Sequence, residues 1–120
     1  MTHLDYIVDA GQLVVREGAS QRIIRRQTFE TPVERVFPLP AGDGCLVLLV
    51  YSGSKKFTFD NLFKVGADGS IVWTAELPES HDAFVHAAVH GERIEANSWS
   101  CWRVEIDPTN GRITTRAFTK

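Results

Sequence analysis

Apolar and polar positions alternate with a period of two along most of this 120-residue chain, the spacing of strands with one buried side. The pattern is clearest from Asn61 to Leu77, NLFKVGADGSIVWTAEL, which reads as a β-hairpin. A three-residue loop at Ala67-Asp68-Gly69, closed by a left-handed glycine, sets Val65 opposite Ile71 and Phe63 opposite Trp73. Both pairs then share one face. A two-residue turn at Asp68-Gly69 sets Lys64 opposite Trp73 and splits the large apolar groups between faces. Burial favours the first register, with Ile71, Trp73, Ala75 and Leu77 on the covered side.

The same reading predicts strands at Leu4 to Val8, Leu13 to Arg16 and Arg22 to Thr28, and another from Val33 towards Leu39 that Pro38 and Pro40 cut short. Ala41 to Gly44 is a turn. The run from Cys45 to Tyr51, CLVLLVY, is apolar on both faces and predicts a central strand covered on each side. Ser52 to Asp60 reads as an exposed loop, with Lys55 and Lys56 in solvent and Phe57 and Phe59 pinning it back. Ala83 to His90 and Arg93 to Trp99 form a hairpin about Gly91-Glu92, a type II′ turn pairing Val89 with Ile94 and Ala87 with Ala96. His86, His90, Arg93, Glu95 and Asn97 take the other face. Trp102 to Asp107 and Arg112 to Phe118 close the chain around a four-residue loop, with Ile106 against Ile113, Val104 against Thr115 and Trp102 against Ala117.

Composition changes this picture little. With 43% hydrophobic and 23% charged residues, the chain can bury a core without staples, which argues against disorder. A formal net charge of -2 offers no basic stripe for nucleic acid. The arginines Arg16, Arg22, Arg25 and Arg26 are balanced by nearby acids, as on a solvated strand face. The start, MTHLDYIVDAGQL, lacks a basic leader with an apolar core, and no apolar run is long enough for a membrane helix, so a cytoplasmic protein is expected. Cys45 and Cys101 lack CxxC spacing and are expected to be reduced structural thiols.

Two stretches of the chain match. Gly69 and Gly111 lie 42 residues apart, and FKVGADGSIVWTAEL aligns with VEIDPTNGRITTRAF once one extra loop residue is allowed. Residues 33–77 and 84–118 therefore each read as a four-stranded antiparallel meander, at the spacing of propeller blades, with residues 1–30 as additional N-terminal strands of one all-β domain spanning 1–120. These meanders resemble the blades of quinoprotein-type (PQQ-like) β-propellers, in which a turn with Asp and Gly is followed by Trp four residues after the glycine. Gly69 to Trp73 fits, and Asp107 to Gly111 fits the Asp-x-x-x-Gly part. In the second copy Asn110 stands where that family usually has Thr, and Thr115 where it has Trp. The resemblance is to a structural motif, so no cofactor site carries over. The ending SWSCWRVEIDPTNGRITTRAFTK also resembles a class of small bacterial proteins to which no activity is attached. Propellers close with about four to eight blades, so two sheets leave faces and edges open. An incomplete propeller or a sandwich is expected, covered by the N-terminal strands, by a second copy or by a partner; a compact pair of sheets, dimerised, is favoured.

Candidate chemistry is sparse. His81, Asp82, His86 and His90 suggest a metal, but His86 and His90 are about 13 Å apart along a strand, too far for one ion. Glu95 and Glu105 read as strand-face residues, and Asp68 and Asp107 as turn residues. No G-x-S-x-G, P-loop or G-x-G-x-x-G is present. Neither cofactor nor metal is expected. Tyr51, Phe84, Trp99 and Trp102 read as core or sheet cover, or as a ligand shelf. Two function classes follow. One is a non-catalytic module that binds a protein partner or itself, with Phe84, His86, Trp99 and Trp102 as its candidate surface and no nucleic acid or membrane involved. The other is a small-molecule binder or enzyme with an aromatic-lined pocket between the sheets.

Overall fold

The computed structural model describes residues 3–40, 44–51 and 59–119. It is all-β: three antiparallel meander sheets follow one another along the chain and stack face to face. The first contains β1 (Leu4–Asp9), β2 (Gln12–Glu17) and β3 (Ile23–Gln27). The second contains β4 (Val33–Pro38), β5 (Gly44–Leu49), β6 (Leu62–Gly66) and β7 (Ile71–Thr74). The third contains β8 (Phe84–His90), β9 (Arg93–Ser98), β10 (Trp102–Ile106) and β11 (Ile113–Phe118). The N-terminal strands form a sheet of their own, and as expected it covers the other two, packing on the middle sheet. The expected loop from Ser52 and the turn at Ala41 fall largely outside the described residues, although Phe59 is buried as expected.

The middle sheet sets the arrangement. All six residues of β5 are buried, as its two-sided apolar run requires. Cys45, Val47 and Leu49 face the first sheet and pack with Tyr6, Leu13, Val15, Phe63 and Val65. Leu46 and Leu48 face the third and pack with Leu62, Trp73, Phe84, Ala87, Ile94, Ala96 and Val104. The third sheet turns a polar face away from the middle one, and the first sheet turns a mixed one, where Ile7 and Val14 stand among Asp5, Asp9, Arg16 and Arg26. Between the middle and third sheets, buried Asn61 joins backbones: its Nδ2 donates to Leu49 O (3.0 Å) and Phe84 O (2.7 Å), and its Oδ1 accepts from Phe84 N (2.8 Å).

Two-sided burial corrects the expected hairpin register. Val65 does face Ile71, but Lys64 then faces Trp73 and Phe63 faces Thr74, because Val72 is an extra residue in β7. Phe63 and Trp73 lie on opposite faces, each covered by a different neighbouring sheet, and Ile71 is exposed. Two large apolar groups need not share one face when both faces are buried. The last hairpin repeats the irregularity: Ile106 faces Ile113 as expected, then Thr114 is skipped, so Glu105 faces Thr115, Val104 faces Arg116 and Trp102 faces Phe118. The β8–β9 hairpin keeps its expected register of Val89 with Ile94 and Ala87 with Ala96.

The first sheet shows the same device, which makes it a third copy of the repeat. Residue Ile24 is skipped between β2 and β3. Three residues before each skipped position stands a turn residue of positive φ: Gln21 (62°), Gly69 (91°) and Gly111 (77°). In each turn the residue after it accepts a hydrogen bond from the end of the preceding strand, Glu17 N to Arg22 O, Gly66 N to Ser70 O and Asp107 N to Arg112 O, all 2.8 Å.

Four residues after the turn residue comes an anchor that lies on the next sheet's turn. Trp73 covers Gly111, where a Cβ would sit 2.5 Å from its ring, and its Nε1 donates to Pro108 O (2.9 Å). Arg25 covers Gly69 in the same way, 2.7 Å from the position of a Cβ, and donates to Ala67 O (3.0 Å). Glycine serves these turns twice, by its positive φ and by leaving room for the anchor. Gly111→Ala should therefore destabilise the fold by about 2 kcal/mol or more, from φ strain and collision together. In a Trp73→Leu background, chemical denaturation should show the cost of the same alanine reduced to about 1 kcal/mol, the φ strain alone.

Candidate interaction surface

The uncovered face of the third sheet follows from strand alternation. Phe84, Ala87, Ile94, Ala96, Val104 and Ile106 turn inward and are buried. Their neighbours His86, His90, Arg93, Glu95, Asn97, Arg103 and Glu105 turn outward, as the β8–β9 pattern predicts. The outer charges are internally matched: His90 lies 3.4 Å from Glu95, and the Arg93 guanidinium is paired with the Glu105 carboxylate. That pairing holds the already strong Arg93 base further up. A shallow depression of about 370 Å³ crosses this face between Arg93, Arg103 and Glu105.

At one end the polar face gives way to an apolar patch. Trp99 is 63% exposed and Val85 is 42% exposed. Val85 is skipped in the β8–β9 pairing, between Phe84 opposite Ser98 and His86 opposite Asn97. Trp99 follows β9 in the turn to β10, and its N–H donates to Ala83 O (2.8 Å), so the two apolar residues lie on adjacent backbone segments. The turn is held rigidly. Buried Asp82 accepts from Ala83 N (2.9 Å) and Ser100 N (3.0 Å) through Oδ1, and its backbone carbonyl accepts from Phe59 N (3.0 Å). Cys101 closes the turn at φ 71°, with its N–H on Ser98 O (3.1 Å) and its carbonyl accepting from Thr119 N and Oγ1, both 2.8 Å.

Of the four residues expected to form a surface, His86 and Trp99 are exposed. Phe84 is corrected: it is 1% exposed and belongs to the core, because alternation from Ala87 and Ala96 turns it inward past the irregularity at Val85. Trp102 lies half-buried on the inner side of its sheet, with Phe118 edge-on at 5.3 Å and the Arg116 guanidinium 5.7 Å from its ring centre. Its indole N–H donates to Glu79. The suggested aromatic shelf is dispersed, since Tyr51 packs between the first two sheets and Phe84 between the last two. Both intersheet spaces are filled by side chains.

The chemistry of the other candidates is equally plain. Asp82 is a structural acceptor, and among the described residues no group of three or more His, Cys, Asp or Glu side chains is placed to hold a metal ion. Asp68 is a turn cap: Ser70 donates to its Oδ1 from both Oγ (2.7 Å) and N (3.0 Å), which holds its carboxyl below the usual range. Sequence reasoning missed Val85 and Asn61. The signal for Val85 was an apolar residue directly after Phe84, one too many for strict alternation; for Asn61 it was a lone amide between Phe59 and Leu62.

Comparison with known proteins agrees with this geometry. The family model described as Domain of unknown function (DUF7957) matches residues 22–118, and the chain belongs to that family. No protein of curated function matches the sequence. The solved structures to which the chain is similar include two β-propeller proteins. One is BamB from Moraxella catarrhalis, at 14% identity and TM-score 0.63, covering 97% of this chain and 35% of that one. The other is the β-propeller domain of Cps50 (Swd1) from Myceliophteria thermophila, at 12% identity and TM-score 0.62, covering 98% and 40%. The chain thus spans little more than a third of the length of each, and the likeness is one of fold.

The two thiols of the chain are free. Burial between the first two sheets pushes the Cys45 thiol up to about 12, with the Arg25 charge pulling weakly the other way. Below pH 9 both folded and unfolded states keep this proton; above it only the unfolded thiol ionises, so stability should fall as pH rises from about 9 towards 12. At neutral pH a maleimide should label Cys101, in the Trp99 turn, and spare Cys45 until the protein unfolds, as mass spectrometry of tryptic peptides will read.

Proposed function

We propose that this chain is a non-catalytic protein-interaction module whose contact surface is the uncovered face of the third sheet, centred on Trp99. The observation that carries the reading is the 63% exposure of a tryptophan beside exposed Val85, on a turn braced by the buried carboxylate of Asp82. A rigid, solvent-facing indole with a rim of matched charges has the composition of an interface anchor. The propeller-type stack supports the same reading, because it presents flat sheet faces and turns on a rigid core.

The partner proposed is a different protein. A homodimer was attractive while two sheets had to cover one another; the first sheet removes that need, since it buries the second face of the middle sheet. The proposal takes the three sheets as PQQ-like blades, on the strength of the turn residues Asp68, Gly69, Asp107 and Gly111 and the anchor Trp73. It places the protein in a bacterial cytoplasm, a setting compatible with its free thiols.

The test compares tagged wild type with Trp99→Ser in affinity purification from native cells. Trp99 is 63% exposed and lies outside both core clusters, so the variant should keep its melting temperature within about 2 °C. It should lose at least about tenfold of the affinity for a stoichiometric partner. A partner retained equally by both proteins contradicts the assignment of the surface.

A further inference from the structure

We propose that the free edge of β1 accepts an extended peptide strand from another protein, one that alternates apolar and basic residues. The middle and third sheets each have four strands, in which β4 and β8 stand first in sequence at one edge. The first sheet has three, and its strands β2 and β3 correspond to β6 and β7, and to β10 and β11, by the shared turn and skipped residue. β1 therefore corresponds to β5 and β9, which are interior strands in their sheets. The position beside it, filled by β4 and β8 in the other two copies, holds no strand among the described residues.

A second observation is independent of the repeat. Sheet edges are templates for unwanted pairing, and proteins blunt them with bulges, prolines and charged residues, lysine above all. Five of the six edge strands here are broken by a bulge. β3, β4, β7, β8 and β11 each contain a skipped residue, β4 also ends in Pro38, and β3 carries Arg25 and Arg26. β1 is blunted only by the acidic residues Asp5 and Asp9. It pairs with β2 over six consecutive residues without irregularity, contains no proline or basic residue, and makes no backbone hydrogen bond to a strand other than β2 among the described residues. β4 packs near it but belongs to the middle sheet.

The side chains along this edge define what it takes. Leu4, Tyr6 and Val8 alternate towards the core side, where Val8 remains 38% exposed and Leu4 half-buried, so apolar residues on an added strand would complete their cover. Asp5, Ile7 and Asp9 occupy the outer side. Arg16 and Arg26 reach these carboxylates from within the sheet, at 3.7 and 3.1 Å, and Asp9 keeps 58% of its side chain exposed. Lysine or arginine on the added strand would approach them from the open side. A second copy of β1 is disfavoured by the same charges, because antiparallel self-pairing about Ile7 sets Asp5 opposite Asp9 twice. The added strand would run antiparallel to β1, as β4 does to β5 and β8 to β9. This site is at the other end of the stack from Trp99 and stands or falls separately from it.

The test uses the full chain, labelled for NMR, and a short capped peptide alternating valine and lysine. Saturable shifts and slowed amide exchange should appear along Leu4 to Asp9 and not along β3, β7 or β11. A peptide alternating valine and glutamate should bind about tenfold more weakly, and Asp9→Lys should reverse that preference. Trp99→Ser should leave both results unchanged. Equal binding of the two peptides, perturbation centred on another edge, no saturable change, or β1-mediated dimerisation without peptide would overturn the proposal.

Discussion

Much of this architecture depends on one recurring contact, a large side chain lying flat on the turn glycine of the next sheet. Trp73 on Gly111 and Arg25 on Gly69 make it with unlike chemistry, an indole in one case and a guanidinium in the other. What they share is geometry: a planar group four residues past a turn, a bare Cα to receive it, and a turn carbonyl to accept its N–H. The contact fixes each sheet's offset against the next, which the non-directional packing of valines and leucines alone does not. At the two ends of the stack the device is missing a half. Thr115 occupies the anchor position of the third sheet, and Gln21, with a Cβ and a side chain bonded to Gly18 O, occupies the glycine position of the first.

Burial tells the same story as the anchors. The middle sheet spends its apolar residues on both faces, while the outer sheets carry ion pairs on the faces turned from it, Arg26 with Asp9 on one and Arg93 with Glu105 on the other. Repeat proteins end in polar-faced units for this reason, since a terminal face has water for a neighbour. Three sheets suffice to cover the inner strands of one on both faces, while its edge strands stay partly exposed. The two features proposed as contact sites lie at the ends: a braced tryptophan at the rim of the third sheet, and a regular strand edge on the first.

Strand existence was legible in the sequence because alternation, turn glycines and prolines are local signals. So was the inside position of Cys45 to Leu49, whose apolar run admits only two-sided cover. Register past the turns was not, because each outer strand has an extra residue whose neighbours, Ile71 with Val72 and Thr114 with Thr115, carry no mark of it. The third copy of the repeat was hidden for a related reason. Its turn uses Gln21 in the left-handed region and its anchor is Arg25, so both signature residues are replaced while the backbone path is kept. The outward placement of His86 was legible from alternation in the β8–β9 hairpin. Phe84 was misplaced by one side because the irregularity at Val85 breaks that alternation.

The central claim is that three sheets share one core, with the middle sheet covered on both sides. Native-state hydrogen exchange tests it most directly. The account predicts that the amides of Val47, Leu48, Leu62 and Phe63 exchange slowest, and that those of Leu13 and Val15 join them in a single global unfolding event. Early, separate exchange of the strands from Leu4 to Gln27, with the middle sheet still protected, would contradict it.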